Sequence, residues 1–286
     1  MICIKNTIMG DELIKENQLP SRIENVYYHS FTSGLANRMR AWITTSAFAE
    51  YMNVPYIMKW RVDDAINNTF FHELFEVPNN MQYIFDKSFE PNSTTFWIKR
   101  NYPNNSFHDN FIEGNFNLSK KEFQKIVDNQ KRYINPLPHI QKKFELLKSN
   151  LNIENCIGLH IRRTDLKEQH LTTDAWFEDN IQAEISKNKN VNFFLATDNE
   201  YTEKKFTSKY SNYIQITERN FDNNKCGEVY PGGSRYRHSS IENALLDMML
   251  LGCTQKVYGC YGSSFGRLGA WMGKKKFIIP NARNLN

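Results

Sequence analysis

The sequence contains no Cys-x-x-Cys pair. Its five cysteines, Cys3, Cys156, Cys226, Cys253 and Cys260, are widely scattered. An odd count without paired spacing argues against a disulfide framework and against a thiolate zinc site. Cys156 and Cys253 sit in apolar runs and read as core. No apolar run approaches the roughly 18–20 residues of a membrane span. Met1 to Pro20 is mixed and charged, unlike a secretion signal, which makes the cytoplasm the default compartment. Gly-x-Gly-x-x-Gly is missing, and so is Gly-x-x-x-x-Gly-Lys-Ser/Thr; neither an NAD fingerprint nor an ordinary P-loop is present. There is no Asp-x-Asp pair, and Asp63-Asp64 is followed by Ala65-Ile66 rather than set at a readable strand end. No metal site is therefore expected. An internal repeat of 20–50 residues is also missing.

What is present suits a folded protein. Hydrophobic residues make up 40% of 286 residues and aromatics 14%, enough for a substantial core. The length fits one large domain or two medium ones. A net charge of +5 suits a phosphorylated ligand or a plain solvated surface. The basic residues are dispersed and no RNP-like or zinc-knuckle pattern appears, so nucleic acid is not an expected partner.

Hydrophobic periodicity predicts an α/β chain. Glu24 to Phe31 reads as a strand, Thr32 to Asn37 as a turn, Arg38 to Asn53 as a helix and Val54 to Trp60 as a second strand, the opening of a βαβ unit. Phe70 to Phe75 reads as a short amphipathic helix, and 91–117 as long loops rich in Asn, Pro and aromatics. Lys120 to Tyr133 reads as helical, and Pro136-Leu137-Pro138 marks a break. Strands at 155–161, 191–196, 213–216, 256–260 and 276–279 then alternate with helices at 139–150, 174–187, 200–209, 239–251 and 265–272. Thr173 or Asp174 is the expected cap of the second of these helices. Such alternation predicts a parallel, doubly wound sheet in each half, with domains at 1–137 and 138–286.

The sharpest signal is Gly158-Leu159-His160-Ile161-Arg162-Arg163-Thr164-Asp165. An apolar strand delivers two arginines at its carboxyl end, where open α/β sheets bind ligands. Guanidinium groups match phosphate oxygens, and a diphosphate would neutralise the pair. Asp165 could fix one arginine in place; the competing reading is a surface ion pair of Arg163 with Asp165. A second signal, Ser33-Gly34-Leu35-Ala36-Asn37-Arg38, joins the first strand to the first helix. It reads equally as an anion-binding helix start or as a structural turn. A third, Gly262-Ser263-Ser264-Phe265-Gly266, follows a strand and opens a helix. The serines read as a phosphate nest or as caps. Asp247 interrupts the apolar run Ala244 to Leu251 and needs a partner, either a guanine base or a structural hydrogen bond. Asp198, in Leu195-Ala196-Thr197-Asp198-Asn199, reads as a site residue at a strand end or as a turn residue.

Together these segments resemble the α1,2- and α1,6-fucosyltransferases and their protein O-fucosyltransferase relatives. His160-Ile-Arg-Arg-Thr-Asp165 is similar to their His-x-Arg-Arg-x-Asp motif, and Gly34-Leu-Ala-Asn37 to their N-terminal glycine turn. Phe194 to Asp198, Asp247 and Ser263-Ser264 recur in the same order. The resemblance covers 30–60 and 155–272. It implies two facing Rossmann-like domains of GT-B type or a variant, with the nucleotide sugar in the C-terminal one and the acceptor on the N-terminal side. His160 and Asp247 would face guanosine; Arg162, Ser263 and Ser264 would hold the diphosphate, with Gly34, Arg38, Arg163, Asp165, Asp198 and Phe265 completing the donor site. Asn37 would approach the diphosphate or the fucose. The implied reaction is inverting transfer of L-fucose from GDP-fucose to a carbohydrate or other hydroxyl acceptor, with no cofactor and no metal. Glu168 is the nearest carboxylate to the base position, which His170 occupies; a solvated loop glutamate is the alternative. The competing functions are transfer from another nucleotide sugar, such as a rhamnose or xylose donor, and nucleotide-sugar binding without catalysis.

Overall fold

A computed structural model of the chain describes residues 24–29, 34–63, 66–84, 95–98, 119–164, 171–221 and 239–281. Ser33, Asp64, Asp165, Glu168 and His170 lie outside these residues. The chain divides into two compact units. The described residues of Met1–Asp63 and Thr69–Pro136 form one, and those of Asp64–Asn68 and Leu137–Asn286 the other. The Asn67 side chain donates to the Ser239 carbonyl at 3.1 Å, which ties its short segment to the second unit.

The first unit holds strands β1 (Asn25–His29), β2 (Tyr56–Lys59), β3 (Met81–Ile84) and β4 (Thr95–Ile98). They form one parallel sheet in the order β3-β2-β1-β4. β4 lies inside the stretch expected to be loop. Its run of Thr, Phe, Trp and Ile is a good β former that its Asn- and Pro-rich surroundings obscure. Helix α1 spans Leu35–Met52 and so begins before the expected Arg38. Leu35 and Ala36 are buried, and that apolar contact draws the turn residues into the first helical turn. Asn53 ends α1 in the left-handed region (φ 54°), its N–H returning to the Ala49 and Glu50 carbonyls. Phe71–Glu73 is a single 3-10 turn, not an amphipathic helix, and Phe75 then bridges Pro136. Phe71, Leu74 and Phe75 are all buried, the i, i+3, i+4 spacing of one helical face, but the bridge from Phe75 to Pro136 takes the chain out of the helix after one turn. Phe71 meets Trp42 edge-on at 4.9 Å and Trp60 at 5.4 Å. The Trp42 indole donates to the Tyr56 hydroxyl at 2.9 Å. Helix α2 spans Lys120–Asn129 behind a Ser119/Glu122 capping box, and a 3-10 turn continues it to Tyr133.

The second unit contains helix α3 (Pro138–Asn150), strand β5 (Cys156–Ile161), helix α4 (Asp174–Lys187), β6 (Asn192–Thr197), α5 (Glu200–Lys209), β7 (Ile214–Gln215), α6 (Ile241–Cys253), β8 (Lys256–Gly259), α7 (Ser264–Met272) and β9 (Lys276–Ile278). Its sheet is parallel in the order β7-β6-β5-β8-β9. Side-chain caps start three helices: Thr173 for α4, Asn199 for α5 and Ser240 for α6.

β5 is buried throughout, as a central parallel strand must be. Alternate residues face opposite layers. Ile157, Leu159 and Ile161 join Phe177, Ile181 and Phe206 of α4 and α5 in one core. Each such fully buried side chain contributes about 1.5–3 kcal/mol relative to exposure. Gly158 and His160 face the other way, toward α6 and α7. A Cβ on Gly158 would stand 3.0 Å from Leu251 Cδ2, and one on Gly266 2.7 Å from His160 Nδ1. Cys156 and Cys260 are buried, whereas Cys253 is only half-buried near the end of α6, so its apolar neighbours overstate its burial. The chain leaves β5 for β6 and β7 on one side, then crosses to β8 on the other. The crevice between the carboxyl ends of β5 and β8 is therefore the topological switch point, where such sheets bind ligands.

Candidate functional site

His160 is the penultimate residue of β5 and 5% exposed. Its ring stacks on Phe265 of α7 at 5.0 Å between centroids. Nδ1 lies against Gly266, in the first turn of α7, and has no hydrogen-bond partner among the described residues. Burial, reinforced by the Arg162 and Arg163 charges, lowers its pKa to about 3, so the ring is neutral at ordinary pH.

The two arginines diverge. Arg163 turns inward: Nη2 and Nε donate to Asp174 Oδ1 at 2.7 and 3.1 Å, and Nη2 also donates to the Thr172 carbonyl at 2.9 Å. Its guanidinium stands 5.8 Å from the Phe177 ring centre. Asp174 also pairs with Lys205 Nζ at 2.7 Å. Burial pushes its carboxyl up, but hydrogen bonds from Lys205 and Arg163 outweigh that and hold it below the usual value. Arg162 has a side chain 27% exposed, and its Nε lies 3.7 Å from Asp198 Oδ2, at the long end of ion-pair geometry. Asp198 organises this loop: it accepts the Arg163 N–H at 2.8 Å and the Thr164 hydroxyl at 2.6 Å. The carboxylates seen beside the arginines are thus Asp174 and Asp198; Asp165 and Glu168 lie outside the described residues.

Cys260, directly after β8, joins the two sides of the crevice. Its sulfur accepts the Arg162 N–H at 3.3 Å, and its carbonyl accepts the Ser263 N–H at 3.3 Å. The next N–H, of Tyr261, donates to Thr172 Oγ1 at 2.9 Å. Ser263 occupies the N-cap position of α7 but makes no side-chain cap bond. Its hydroxyl is buried and without a partner among the described residues. Ser264, half-buried, is the first helical residue, and the first turn carries no acidic side chain. The helix start thus lacks a side-chain cap, and through Cys260 the backbone of its N-cap residue is linked to that of Arg162; uncapped helix N-termini are a general binding place for anions.

Asp247 is buried on α6, and its partner belongs to the protein. Arg219 Nη1 donates to Oδ2 at 2.6 Å and the Thr217 hydroxyl donates to Oδ1 at 2.9 Å. Glu203 of α5 completes the cluster, its Oε2 lying 3.1 Å from Arg219 Nε, close enough to pair but not aligned for a hydrogen bond. Burial holds the Glu203 carboxyl above its usual value despite that cation, with Asp247 adding to the effect. Arg219 and Glu203 were not legible as site residues. The stretch around Arg219 is polar and reads as surface, and no local spacing marks it as buried.

In the first unit, Gly34 is the N-cap of α1 with extended dihedrals and open space where a Cβ would sit. Asn37, half-buried in the first turn, accepts from Arg40 Nη1 at 3.4 Å. Arg38 is fully buried. Its guanidinium meets Asp63 Oδ1 at 2.8 Å, the Arg61 carbonyl and the Trp60 ring. Among the described residues no group of three His, Cys, Asp or Glu is placed to hold a metal ion, and no helix is long and apolar enough to cross a membrane.

No protein-family model matches this sequence, and no curated protein does. Solved structures do. NodZ, an α-1,6-fucosyltransferase in a crystal soaked with GDP-fucose, matches with a TM-score of 0.57 at 14% identity over 93% of this chain and 97% of that one; NodZ is also known from Bradyrhizobium crystals. FUT1 of Arabidopsis thaliana, as a mutant in complex with GDP, matches at 0.56 and 13% over 93% and 73%. POFUT1 in complex with GDP matches at 0.52 and 9% over 89% and 97%. This likeness establishes that the chain shares the α/β fold, with parallel sheets, of these three fucosyltransferases.

Proposed function

We propose that the chain is an inverting glycosyltransferase that moves L-fucose from GDP-fucose to a hydroxyl of a carbohydrate acceptor. The observation that carries this reading is the buried, uncapped Ser263 hydroxyl at the start of α7, linked through Cys260 to Arg162 at the switch point of the sheet. The fold shared with the three fucosyltransferases supports it, since two were studied with GDP and one with GDP-fucose.

In this reading Arg162, Ser263, Ser264 and the first N–H groups of α7 bind the diphosphate, and His160 and Phe265 lie against the nucleoside. Asp198 holds the arginine loop. Arg163 contributes by bracing that loop on Asp174, and Asp165 keeps the donor-site role that the motif resemblance gives it. The acceptor hydroxyl attacks the anomeric carbon as the bond to GDP breaks on the opposite face. Negative charge grows on the departing diphosphate, and Arg162 stabilises it more in the transition state than in the ground state. Glu168 is the proposed base that removes the hydroxyl proton. Gly34 and Asn37 keep the donor-side role that the motif resemblance gives them, and Asn37→Ala is expected to lower turnover. A cationic guanidinium and a helix start neutralise phosphate without a divalent ion, so the reaction is proposed to be metal-independent.

One observation favours a second donor. Asp247, the expected reader of guanine, is engaged by Arg219 and Thr217, which leaves the base choice open to another nucleotide sugar. Calorimetry with GDP, UDP, ADP and GDP-fucose, followed by product analysis, decides between the two. Tight binding of GDP alone and release of GDP from GDP-fucose support fucosyl transfer. Binding of none of these nucleotides refutes the site.

A further inference from the structure

Strand β7 is only two residues long, pairing Phe193 with Ile214 and Phe194 with Gln215. Along β6, the backbone of Phe193 faces the β7 side, where its N–H donates to the Tyr213 carbonyl at 2.8 Å. The carbonyls of Leu195 and Thr197, two and four residues on, point to the same side but have passed the end of β7. Arg219 supplies the missing donors. Its Nη2 donates to the Leu195 carbonyl at 3.3 Å and its Nη1 to the Thr197 carbonyl at 3.2 Å. The side chain is 1% exposed, and Asp247 from α6 and Glu203 from α5 hold it on two sides. A side chain thus does the work of a strand along the last part of β6.

The residue after Thr197 is Asp198, which fixes the Arg163 N–H and the Thr164 hydroxyl and lies beside Arg162 Nε. A continuous chain of polar contacts therefore runs from α5 and α6, through Arg219 and the end of β6, to the arginine loop. We propose that Arg219 is a positioning residue that, clamped by Asp247 and Glu203, completes the edge of β6 and thereby holds Asp198 where it presents Arg162 to the diphosphate. This rests on the donor site proposed above. It gives Asp247 a role in catalysis that needs no contact with the base.

The test is a double-mutant cycle in the full chain, read by calorimetric GDP affinity, kcat and KM for GDP-fucose, and melting temperature. Arg219→Lys keeps a cation between the two carboxylates but loses the fork that spans two carbonyls. It is expected to lower kcat by about 10- to 100-fold, the effect of misplacing a catalytic group by an ångström or so. In an Arg162→Ala background the same change should lower kcat by less than about 2-fold, because Arg219 acts through Arg162. Losses that multiply in full, or a kcat near wild type in Arg219→Lys, would overturn the inference while leaving the donor site intact. Wild-type protein that binds no GDP would overturn both. If Arg219→Lys does not fold, the pair Arg219→Gln with Asp247→Asn removes both charges together and carries the same cycle. If neither folds, Arg219 is a structural residue and the assignment is wrong.

Discussion

Replacing Arg162 and Arg163 one at a time by alanine should separate activity from stability. Arg163 makes two hydrogen bonds to Asp174 and one to the Thr172 carbonyl, with its side chain 15% exposed. Breaking a fully buried pair costs about 3–5 kcal/mol. Asp174 is partly exposed and keeps Lys205 at 2.7 Å, so about 2–3 kcal/mol is the better figure here. For a unit of this size the melting temperature should fall by about 4–12 °C. Arg162 has a 3.7 Å ion pair and a side chain 27% exposed. Being more exposed than Arg163, it should cost less stability when lost. Its effect belongs to the transition state: about 2–4 kcal/mol, or about 30- to 1,000-fold in kcat/KM. Arg162→Lys should rescue little, since one ammonium cannot reproduce a fork. The assay is release of GDP from GDP-fucose beside a thermal melt of each variant. Near-wild-type turnover in Arg162→Ala, or an unchanged melt in Arg163→Ala, would refute the division of labour.

Gly266→Ala should weaken GDP binding, because the new Cβ would stand 2.7 Å from His160 Nδ1 and 2.9 Å from its Cβ and Cγ. Overpacking there should cost about 1–3 kcal/mol of stability, and calorimetry with a thermal melt checks both effects. His160 gives a pH signature: its folded pKa of about 3 lies below the unfolded value of 6.5. Between those values the unfolded chain binds more protons, so the contribution of His160 is full above about pH 6.5 and is lost as the pH falls toward 3. Urea midpoints from pH 7 to pH 4 should decline less steeply in His160→Gln than in wild type; parallel slopes would show that the ring is not buried neutral. Turnover should persist in excess EDTA, and activity that vanishes with chelator and returns with a divalent ion would assign the diphosphate to a metal instead. Asn37→Ala should lower kcat with the melting temperature held within a few degrees, because its half-buried amide makes a long 3.4 Å contact with Arg40. A variant with wild-type kcat would remove Asn37 from the reaction.

The alternation of strand and helix in the second half could be read from the sequence because its signal is local. β5 is a continuous apolar run, α4 to α6 start at Thr, Asn and Ser caps, and each can be recognised within a dozen residues. The position of Arg162 and Arg163 at the end of β5 follows from the same run. β3 and β4 were missed because four residues among Asn, Pro and aromatics give no period to count. The order β7-β6-β5-β8-β9 depends on where the chain crosses the sheet, a choice that no local propensity encodes. That order alone brings Cys260 against Arg162 across 98 positions and makes the crevice between them a switch point. Charge pairing behaves likewise. Arg163 bonds Asp174 across 11 positions, and Asp247 finds Arg219 across 28. An ion pair is selected by which partner can be desolvated beside it, and desolvation is a property of the packed layers. The sequence by itself determined most elements of the second half and the residue types at their ends; the tertiary structure decided that Arg163 is braced on Asp174 and that Asp247 holds Arg219.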